Sequence, residues 1–327
     1  MLTDDHLLSL LKGQKGYIPL RILAKETGVT TSTISKRIRI LRKSGYKIES
    51  SYKMGYRLAC ATHISPPGEL AKMLNTVFVG KSKIIYKHSV ESTQNLAVLL
   101  AEEKHSAEGI VVIAEQQTSA RGRQNRRWLS PKGGLWLSVI LRPRISASKI
   151  TVLPFAAALA VCDAIKITTT LQPKLRWPND ITIGGKKVGG ILIDVSMESE
   201  QINYAVIGIG INANVDSSAI SSSLEKHTKV TSLCDELGHK ISIPGLTKAI
   251  LEGLEYYYLK LKDGVSHTII EQWKKNSDIL DQKVQVIEND KTTEGIAADV
   301  KDDGSLLLRT NGLDYINVVA SDIRVRY

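Results

Sequence analysis

A proline-glycine break at residues 66–68 divides this chain into two stretches of different composition, and it limits the possible folds more than any other feature. The first 60 residues carry 12 Lys/Arg and 4 Asp/Glu, a net charge of +8, out of +11 for all 327 residues. Beyond the break, the apolar runs are longer and glycine turns are common. We therefore expect separate domains, with the first ending at residue 65.

The charge of the N-terminal stretch indicates an anionic partner, and nucleic acid is the first candidate. A solvated basic surface is the alternative, and charge alone does not separate the two. The spacing of apolar residues adds information. Leucines within residues 7–11 predict a first helix, and residues 18–27 predict a second. Gly28 follows as a residue suited to a tight turn.

A third helix after Gly28 is amphipathic, with a basic exposed face. The candidates for its hydroxyl cap are Thr30, Thr31 and Ser32. Its apolar stripe, at spacing i, i+4 and i+7, consists of Ile34, Ile38 and Leu41. Its basic side chains are Lys36, Arg37, Arg39, Arg42 and Lys43. This pattern is typical of a helix-turn-helix whose second helix enters the major groove.

Residues 48–58 alternate in polarity around Gly55, which predicts a β-hairpin wing beside the helices. Residues 1–65 together resemble a winged helix, and we expect them to bind duplex DNA. The side chains expected nearest the bases are Ser32, Thr33, Lys36 and Arg37. A protein-interaction domain is the alternative, because winged helices also serve that purpose.

The rest of the chain predicts an α+β architecture. Residues 153–165 have the composition of a buried helix, and residues 110–113 and 135–141 that of strands in a mixed or antiparallel sheet. We assign residues 66–278 to this central domain. Short apolar runs separated by turns favour a small β barrel at residues 279–327.

Other features limit the protein's class. The three cysteines, Cys60, Cys162 and Cys234, are widely separated, and the histidines are scattered. We therefore expect no disulfide framework, zinc site or tightly bound metal. No uninterrupted apolar stretch of membrane-spanning length and no export leader is evident, so we expect a soluble cytoplasmic protein without membrane association.

Residues 118–131 form an arginine-rich loop in the central domain. Its members include Arg121, Gly122, Arg123, Arg126 and Arg127. Since these guanidinium groups repel one another, we expect a loop that an anion such as phosphate would order. A solvated charge run is the alternative for the loop taken alone. The chain has no GxxxxGK[ST] loop, so phosphate binding would need such a substitute.

Three further polar clusters accompany this loop. Residues 176–181 read Arg-Trp-Pro-Asn-Asp-Ile and offer a carboxylate that could hold Mg²⁺, with Lys187 following a glycine turn. Residues 208–212 read Gly-Ile-Gly-Ile-Asn, in which the glycines would allow a ligand to approach closely. Residues 91–95 read Glu-Ser-Thr-Gln-Asn, a polar helix start that could also be a simple N-cap.

In this order, the clusters resemble the biotin–protein ligase family. That family has a Ser-Thr-Asn opening, a glutamine before a Gly-Arg-Gly-Arg-Arg-Gly-Arg loop that ends in Trp, a Lys-Trp-Pro-Asn-Asp turn, a Lys-x-x-Gly-Ile-Leu strand and a Gly-x-Gly-Ile-Asn segment. The matching motifs run from about residue 90 to residue 233. With the winged helix ahead of them, the chain is similar to the bifunctional members that also act as biotin operon repressors.

The resemblance implies an enzyme that uses ATP and Mg²⁺ to convert biotin to biotinyl-5'-AMP. It would then transfer biotin to a lysine of a biotin carboxyl carrier protein. The resemblance also implies operator binding by a homodimer that biotinyl-5'-AMP promotes, and an SH3-like C-terminal barrel. A lipoate–protein ligase and a repressor that merely senses biotin are the alternatives.

The resemblance also assigns residues to roles. The catalytic residues would be Arg121, Arg123 and Lys187. Those binding biotin would be Ser92, Thr93, Gln94, Gln117, Arg121, Gly122, Arg123, Lys187 and Gly190. Those binding ATP would be Arg121, Arg123, Trp177, Asn179, Asp180, Lys187 and Asn212, with Asp180 the possible Mg²⁺ contact.

Several positions depart from the family pattern. Residues 92–95 read Ser-Thr-Gln-Asn where the family has Ser-Thr-Asn, so either Gln94 or Asn95 could correspond to the family's asparagine. Ala120 and Asn125 replace two loop glycines and stiffen the loop. No tryptophan stands near residue 227 to cover an adenine ring.

Overall fold

The protein is described here by a computed structural model. It covers residues 4–12, 14, 16–43, 46–58, 67–221, 229–288, 291–310, 314–319 and 324–326. The predicted boundary between residues 65 and 66, Cys60 and residue 227 lie outside this set.

The N-terminal unit consists of three helices and a hairpin. Its elements are α1 (Asp4–Lys12), α2 (Leu20–Thr27), α3 (Thr31–Lys43), β1 (Ile48–Ser51) and β2 (Gly55–Leu58). Ile34, Ile38 and Leu41 are buried in its core, as the apolar stripe predicts. Gly28 adopts φ 66° in the turn between α2 and α3. The amide of Thr33 donates to Thr30 Oγ1 at 3.3 Å, which identifies Thr30 as the cap.

One prediction for this unit is wrong. Ile18 is not helical but bridges Tyr56 of β2, with backbone hydrogen bonds of 2.7 and 2.9 Å in the two directions. Pro19 follows, and its fixed φ suits the position just before α2. The apolar side chain of Ile18 belongs to the wing side of the core rather than to a helix.

The central unit is built on a seven-stranded sheet with the order β3-β4-β5-β9-β8-β7-β6. The strands are β3 (Ile84–Val90), β4 (Val111–Gln117), β5 (Leu135–Leu141), β6 (Lys174–Arg176), β7 (Asp180–Ile183), β8 (Lys186–Glu198) and β9 (Gln201–Ile211). Only β3 and β4 pair in parallel among the described strands, so the sheet is mixed. Every residue of β5 is buried.

The central unit also contains helices. They are α4 (Pro67–Met73), α5 (Thr93–Glu102), α6 (Ala147–Ile150), α7 (Leu153–Thr168), α8 (Ser217–Ser221), α9 (Leu233–Leu237), α10 (Ile243–Lys262) and α11 (Ser266–Asn276). Of these, α5 and α7 have the most contacts with the sheet. Gly253 of α10 faces Ala160 of α7 closely enough that an added Cβ would lie 3.3 Å from Ala160. Burial raises the pKa of the Cys162 thiol on α7 to about 11, so it stays protonated at neutral pH.

The stretch Ala147–Thr168 has the length and apolar composition of a membrane-crossing helix. Within the described residues it is the only such stretch, and 67% of its most apolar window is buried inside the fold. It contains α7, which packs against α10 in the main hydrophobic core. The predicted buried helix at residues 153–165 is therefore confirmed as a core helix.

The C-terminal unit is a five-stranded antiparallel sheet with the order β13-β12-β11-β10-β14. Its strands are β10 (Lys283–Glu288), β11 (Lys291–Val300), β12 (Leu306–Thr310), β13 (Tyr315–Val318) and β14 (Arg324–Arg326). Its buried residues, including Val300 and Leu306, join the same hydrophobic core as α7.

Candidate active site and nucleic-acid interface

A cavity of about 490 Å³ opens between the arginine loop, the start of α5 and strands β5, β8 and β9. It brings together the residues that were predicted separately for biotin and for ATP. They are Ser92, Thr93, Gln94, Gln117, Arg121, Gly122, Arg123, Trp177, Asn179, Asp180, Lys187, Gly190 and Asn212. These residues come from separate parts of the chain between residues 92 and 212, and the fold places every predicted cluster in one cavity.

The start of α5 forms one polar wall. Ser92 is the N-cap and accepts a hydrogen bond from the Asn95 amide at 3.2 Å. The amide and hydroxyl of Thr93 both donate to Gln117 Oε1, at 2.7 and 3.1 Å. Gln94 is buried and lines the cavity, whereas Asn95 is exposed. In this chain, Gln94 therefore occupies the pocket position that the sequence left open.

Gln94 lies at the centre of a buried hydrogen-bond network. Its Oε1 accepts from Ser138 Oγ at 3.0 Å. Its Nε2 donates to the Val206 carbonyl at 3.0 Å and to Asp194 Oδ2 at 2.9 Å. Sequence reasoning missed Ser138 and Asp194. Ser138 stands alone among the apolar residues of β5, and a buried hydroxyl needs a partner, so that signal could have found it. Asp194 shares β8 with several other polar residues and has no such signal.

The arginine loop folds back on itself over the cavity. The Gly122 amide donates to the Arg126 carbonyl at 2.7 Å, and the Trp128 amide to the Ala120 carbonyl at 2.9 Å. Gln124 and Asn125, in the short 3₁₀ helix Arg123–Asn125, have φ near 53° and 54°. Asn125 thus adopts the backbone conformation for which glycine is otherwise preferred, and Asn tolerates it better than most residues.

Two cations of the cavity are paired with carboxylates. Arg121 Nη2 lies 2.7 Å from Asp194 Oδ2, and Lys187 Nζ lies 2.6 Å from Asp180 Oδ1. Lys187 Nζ also lies 5.2 Å from the centre of the Trp128 ring. Both cations can meet an incoming anion only in competition with, or alongside, a resident carboxylate.

Two polar atoms at the cavity are buried without a hydrogen-bond partner among the described residues. They are the indole Nε1 of Trp128 and the side-chain Oδ1 of Asn212. Asn212 is 1% exposed, and its Nδ2 donates to the Thr231 carbonyl at 3.0 Å. Since buried polar groups are normally paired, this donor and this acceptor mark positions where a ligand could supply the partner.

Other predicted residues have structural contacts in addition to their place at the cavity. Asn179 Nδ2 donates to the Ile191 carbonyl at 2.7 Å, which ties the turn before β7 to β8. Trp177 is fully buried, and its indole N–H donates to the Gly304 carbonyl of the C-terminal unit at 3.0 Å. The Trp177–Pro178 peptide bond is cis.

The two glycines of residues 208–212 also line the cavity. A Cβ on Gly208 would lie 2.5 Å from Gln94 Oε1, and a Cβ on Gly210 would lie 2.7 Å from Trp128 Nε1. The absence of side chains therefore lets Gln94 and Trp128 pack against β9. Close approach of a ligand to these glycines stays a prediction.

The outer surface of α3 contains the residues predicted for DNA. Ser32 and Lys36 are exposed, and Thr33 and Arg37 are half-buried. The hydroxyl of Thr30 lies 2.9 Å from those of both Ser32 and Thr33. Arg37 forms an ion pair of 3.2 Å with Asp4 of α1, so this guanidinium already has a partner within the domain.

Comparisons with known proteins agree with the two units. The model of the biotin/lipoate A/B protein ligase family matches residues 86–212, and a helix-turn-helix domain model matches residues 4–57. The chain is 35% identical over 303 residues to the bifunctional ligase/repressor BirA of Bacillus spizizenii, covering 90% of both chains. It is 25% identical over 305 residues to the protein of the same name in Escherichia coli, covering 89% of this chain and 88% of that one.

Solved structures share the fold. The biotin protein ligase from Aquifex aeolicus in complex with biotin and ATP superposes with a TM-score of 0.62 and 24% identity. The match covers 75% of this chain and 98% of that chain. A biotin protein ligase-like protein of Silicibacter superposes with a TM-score of 0.56 and 16% identity, covering 72% and 94%.

Proposed function

This chain belongs to the bifunctional ligase/repressor family, and we infer that it is a biotin protein ligase with a helix-turn-helix repressor domain. We propose that it activates biotin with ATP and transfers it to a lysine of a biotin carboxyl carrier protein. The observation that carries this proposal is the single cavity, where buried polar side chains lie at one wall and cations at another.

In the first reaction, the carboxylate of biotin attacks the α-phosphorus of ATP, biotinyl-5'-AMP forms and pyrophosphate leaves. A carboxylate is already ionised near neutral pH, so this step needs no general base. The site must align two anions and compensate the charge on the phosphoryl oxygens. Of the cations that line the cavity, we assign Arg121, Arg123 and Lys187 to this task.

In the second reaction, the neutral amine of the carrier lysine attacks the acyl carbon of biotinyl-5'-AMP, an amide bond forms and AMP leaves. The mixed anhydride is sensitive to water, and the arginine loop over the cavity would exclude water until the acceptor arrives. Asp180 is the carboxylate nearest Lys187 and is a candidate to receive the proton of that amine.

We assign the polar wall, Ser92, Thr93, Gln94 and Gln117, to the biotin ring, and Arg121, Gly122, Arg123, Lys187 and Gly190 to its carboxylate side. ATP would lie against Arg121, Arg123, Trp177, Asn179, Asp180, Lys187 and Asn212. The buried Oδ1 of Asn212 is an acceptor that suits an amino or hydroxyl group of the nucleotide.

Mg²⁺ would arrive with the phosphates of ATP. No group of three or more His, Cys, Asp or Glu side chains in the described part of the chain is arranged to hold a metal ion. A magnesium ion that keeps phosphate and water ligands needs only one or two protein carboxylates, and Asp180 fits that requirement. The bound ion would supply charge compensation on the phosphates.

We further propose domain limits of 1–65, 66–278 and 279–327, an SH3-like arrangement of the C-terminal sheet and a cytoplasmic location. Ser32, Thr33, Lys36 and Arg37 would contact operator DNA. A homodimer promoted by biotinyl-5'-AMP would use the edge of β8 beyond Ile191. On that edge β7 pairs with β8 at Lys186–Gly190 and Asn179 binds Ile191, whereas no backbone partner is described for residues 192–198.

Intact-mass spectrometry tests the enzyme. The protein is incubated with ATP, Mg²⁺, a biotin carrier domain and either biotin or lipoate. We expect a biotin-sized gain that is lost in Arg123→Ala and Lys187→Ala and kept in Lys174→Ala, an exposed lysine on β6. A lipoate-sized gain would favour the lipoate ligase, and no gain despite biotin binding would favour a sensor.

Gel-shift titration tests the repressor. We expect a salt-sensitive, sequence-preferring complex with promoter DNA that tightens when biotin and ATP are present together. Lack of any such complex at low salt, with or without the two ligands, would contradict DNA binding.

A further inference from the structure

Asp194, in the middle of β8, accepts hydrogen bonds from two pocket residues on a single oxygen. Its Oδ2 lies 2.9 Å from Gln94 Nε2 of α5 and 2.7 Å from Arg121 Nη2 of the arginine loop. The side chains of Asp194 and Arg121 are 27% and 32% exposed, so the pair is partly shielded from water. Asp194 itself does not line the cavity, although its neighbour Leu192 does.

From Asp194 the hydrogen bonds continue across the pocket wall. Gln94 accepts from Ser138, whose hydroxyl lies 3.0 Å from that of Thr93. The backbone amide of Thr93 donates to Gln117 Oε1 at 2.7 Å, and Gln117 Nε2 donates to Ser130 Oγ at 2.9 Å. The series therefore begins at Arg121 and ends at Ser130. These residues lie near the two ends of the arginine loop, so one network holds both of its ends.

Two acceptors fix the orientation of the Gln94 amide. The Asp194 carboxylate and the Val206 carbonyl only accept hydrogen bonds, so the amide NH₂ of Gln94 faces both of them and Gln94 Oε1 faces Ser138. Ser138 therefore donates to Gln94. Without the carboxylate, one amide proton of Gln94 would lose its acceptor, and the Val206 carbonyl alone would hold the amide in place. Arg121 would also lose its charged partner.

We propose that Asp194 is a positioning residue that orients the polar wall proposed to bind the biotin ring and holds the arginine loop closed over it. The inference rests on the proposed ligase function and adds a residue that touches neither substrate. The ligand it prepares for is a neutral ring with a urea group, which has a fixed set of donors and acceptors. Such a ring needs its partners in one orientation, because a reversed hydroxyl or amide leaves a buried polar group unpaired.

The test compares Asp194→Asn with Glu198→Gln. Glu198 is an exposed carboxylate on the same strand and gives the same change in charge. For Asp194→Asn, we expect the dissociation constant of biotin, measured calorimetrically without ATP, to rise about ten-fold or more, as expected for loss of charge-assisted hydrogen bonds. The KM for ATP should rise less than the dissociation constant of biotin, since Arg121 is the only residue assigned to ATP with which Asp194 has a hydrogen bond.

The loop provides a second measurement. Trypsin should cut the arginine loop faster in Asp194→Asn than in the wild type, and biotin should protect it less. Asp194→Glu keeps the charge and should recover part of both properties. Thermal unfolding of each variant verifies that the fold is intact, which is expected because the side chain is partly exposed.

Wild-type biotin affinity and wild-type loop protection in Asp194→Asn would overturn the proposal. Equal losses for biotin and ATP would also overturn it, because they would indicate general damage to the cavity. Failure of the wild-type protein itself to bind biotin would instead contradict the proposed function, so the two failures are distinguishable.

Discussion

The indole N–H of Trp177 donates to the backbone carbonyl of Gly304 at 3.0 Å, and this hydrogen bond joins the cavity wall to the C-terminal sheet. Gly304 lies in the turn between β11 and β12, where its φ is 80°. A Cβ there would lie 2.6 Å from Phe155 Cε2 at the start of α7. The turn is thus packed against the central unit at the point where its carbonyl accepts the hydrogen bond from Trp177.

Gly304→Ala should therefore lower the free energy of unfolding by about 2–4 kcal/mol, from left-handed backbone strain and overpacking together. In the fraction that folds, we expect the KM for ATP to rise more than the KM for biotin, since Trp177 lies on the proposed nucleotide side. Gly264→Ala is the control. Its φ is 84°, but the nearest atom to the added Cβ is the end of Lys149 at 3.6 Å, so it should cost only about 1–2 kcal/mol. Equal losses in the two variants would contradict the packing argument.

Gly210→Ala should displace Trp128 from β9, because the new Cβ would lie 2.7 Å from Nε1 and 3.0 Å from Cε2 of the indole. We expect weaker ligand binding and faster tryptic cleavage of the arginine loop, with a loss of about 1–2 kcal/mol in unfolding free energy. Gly68→Ala in α4 adds a Cβ with nothing within 4 Å and should change neither property. A loop that is cut no faster in Gly210→Ala would show that Trp128 adapts without moving the loop.

His267 on α11 should titrate above its ordinary value. A hydrogen bond from its ring to Asp302, with the attraction of that carboxylate, raises the pKa of His267 above 6.5. A raised histidine pKa contributes stability that is complete below about pH 6.5 and is lost as pH rises through the folded value. An NMR titration of the imidazole should show this pKa, and Asp302→Asn should lower it. An unchanged pKa in Asp302→Asn would exclude the ion pair as the cause.

Asp4→Asn should strengthen DNA binding. The variant releases Arg37 on α3 from its 3.2 Å ion pair with Asp4 and removes one negative charge from the domain. Because both side chains are more than a third exposed, the dissociation constant for promoter DNA should fall by only about two- to five-fold. The salt dependence should steepen by up to about one unit of slope. Glu26→Gln, an exposed charge on α2, controls for net charge, and an equal gain there would remove any special role for Arg37.

The sequence predicted the members of the site better than it predicted their contacts. Periodicity was sufficient for α3, because Ile34 and Ile38 recur on a buried face, and composition was sufficient for α7, which is buried along most of its length. Chain order and residue type were sufficient to nominate Gln117 and Lys187 for one cavity. Neither could show that Lys187 is paired with Asp180, since that contact depends on a turn between two strands.

The errors have a common origin in tertiary contacts. Ile18 lies just before a helical segment of the sequence, but its backbone pairs with Tyr56, which is 38 residues away in the chain. The packing of Trp128 against Gly210 likewise has no signal in the local motif. Asp194 carries no motif at all. Its importance follows from the alignment of β8 with α5 and the arginine loop, which local pattern does not encode.

The pairing of Lys187 with Asp180 and of Arg121 with Asp194 has a consequence for how the cavity meets its ligands. Each of these two cations already has a counterion, so a ligand does not meet an unpaired positive charge at either position. An entering anion must compete with a tethered carboxylate, and a multiply charged phosphate in close contact competes better than a lone carboxylate or chloride. The ion pairs with the same carboxylates can form again when pyrophosphate or AMP departs. Product release would then be an exchange of partners, in which neither cation has to be left unpaired.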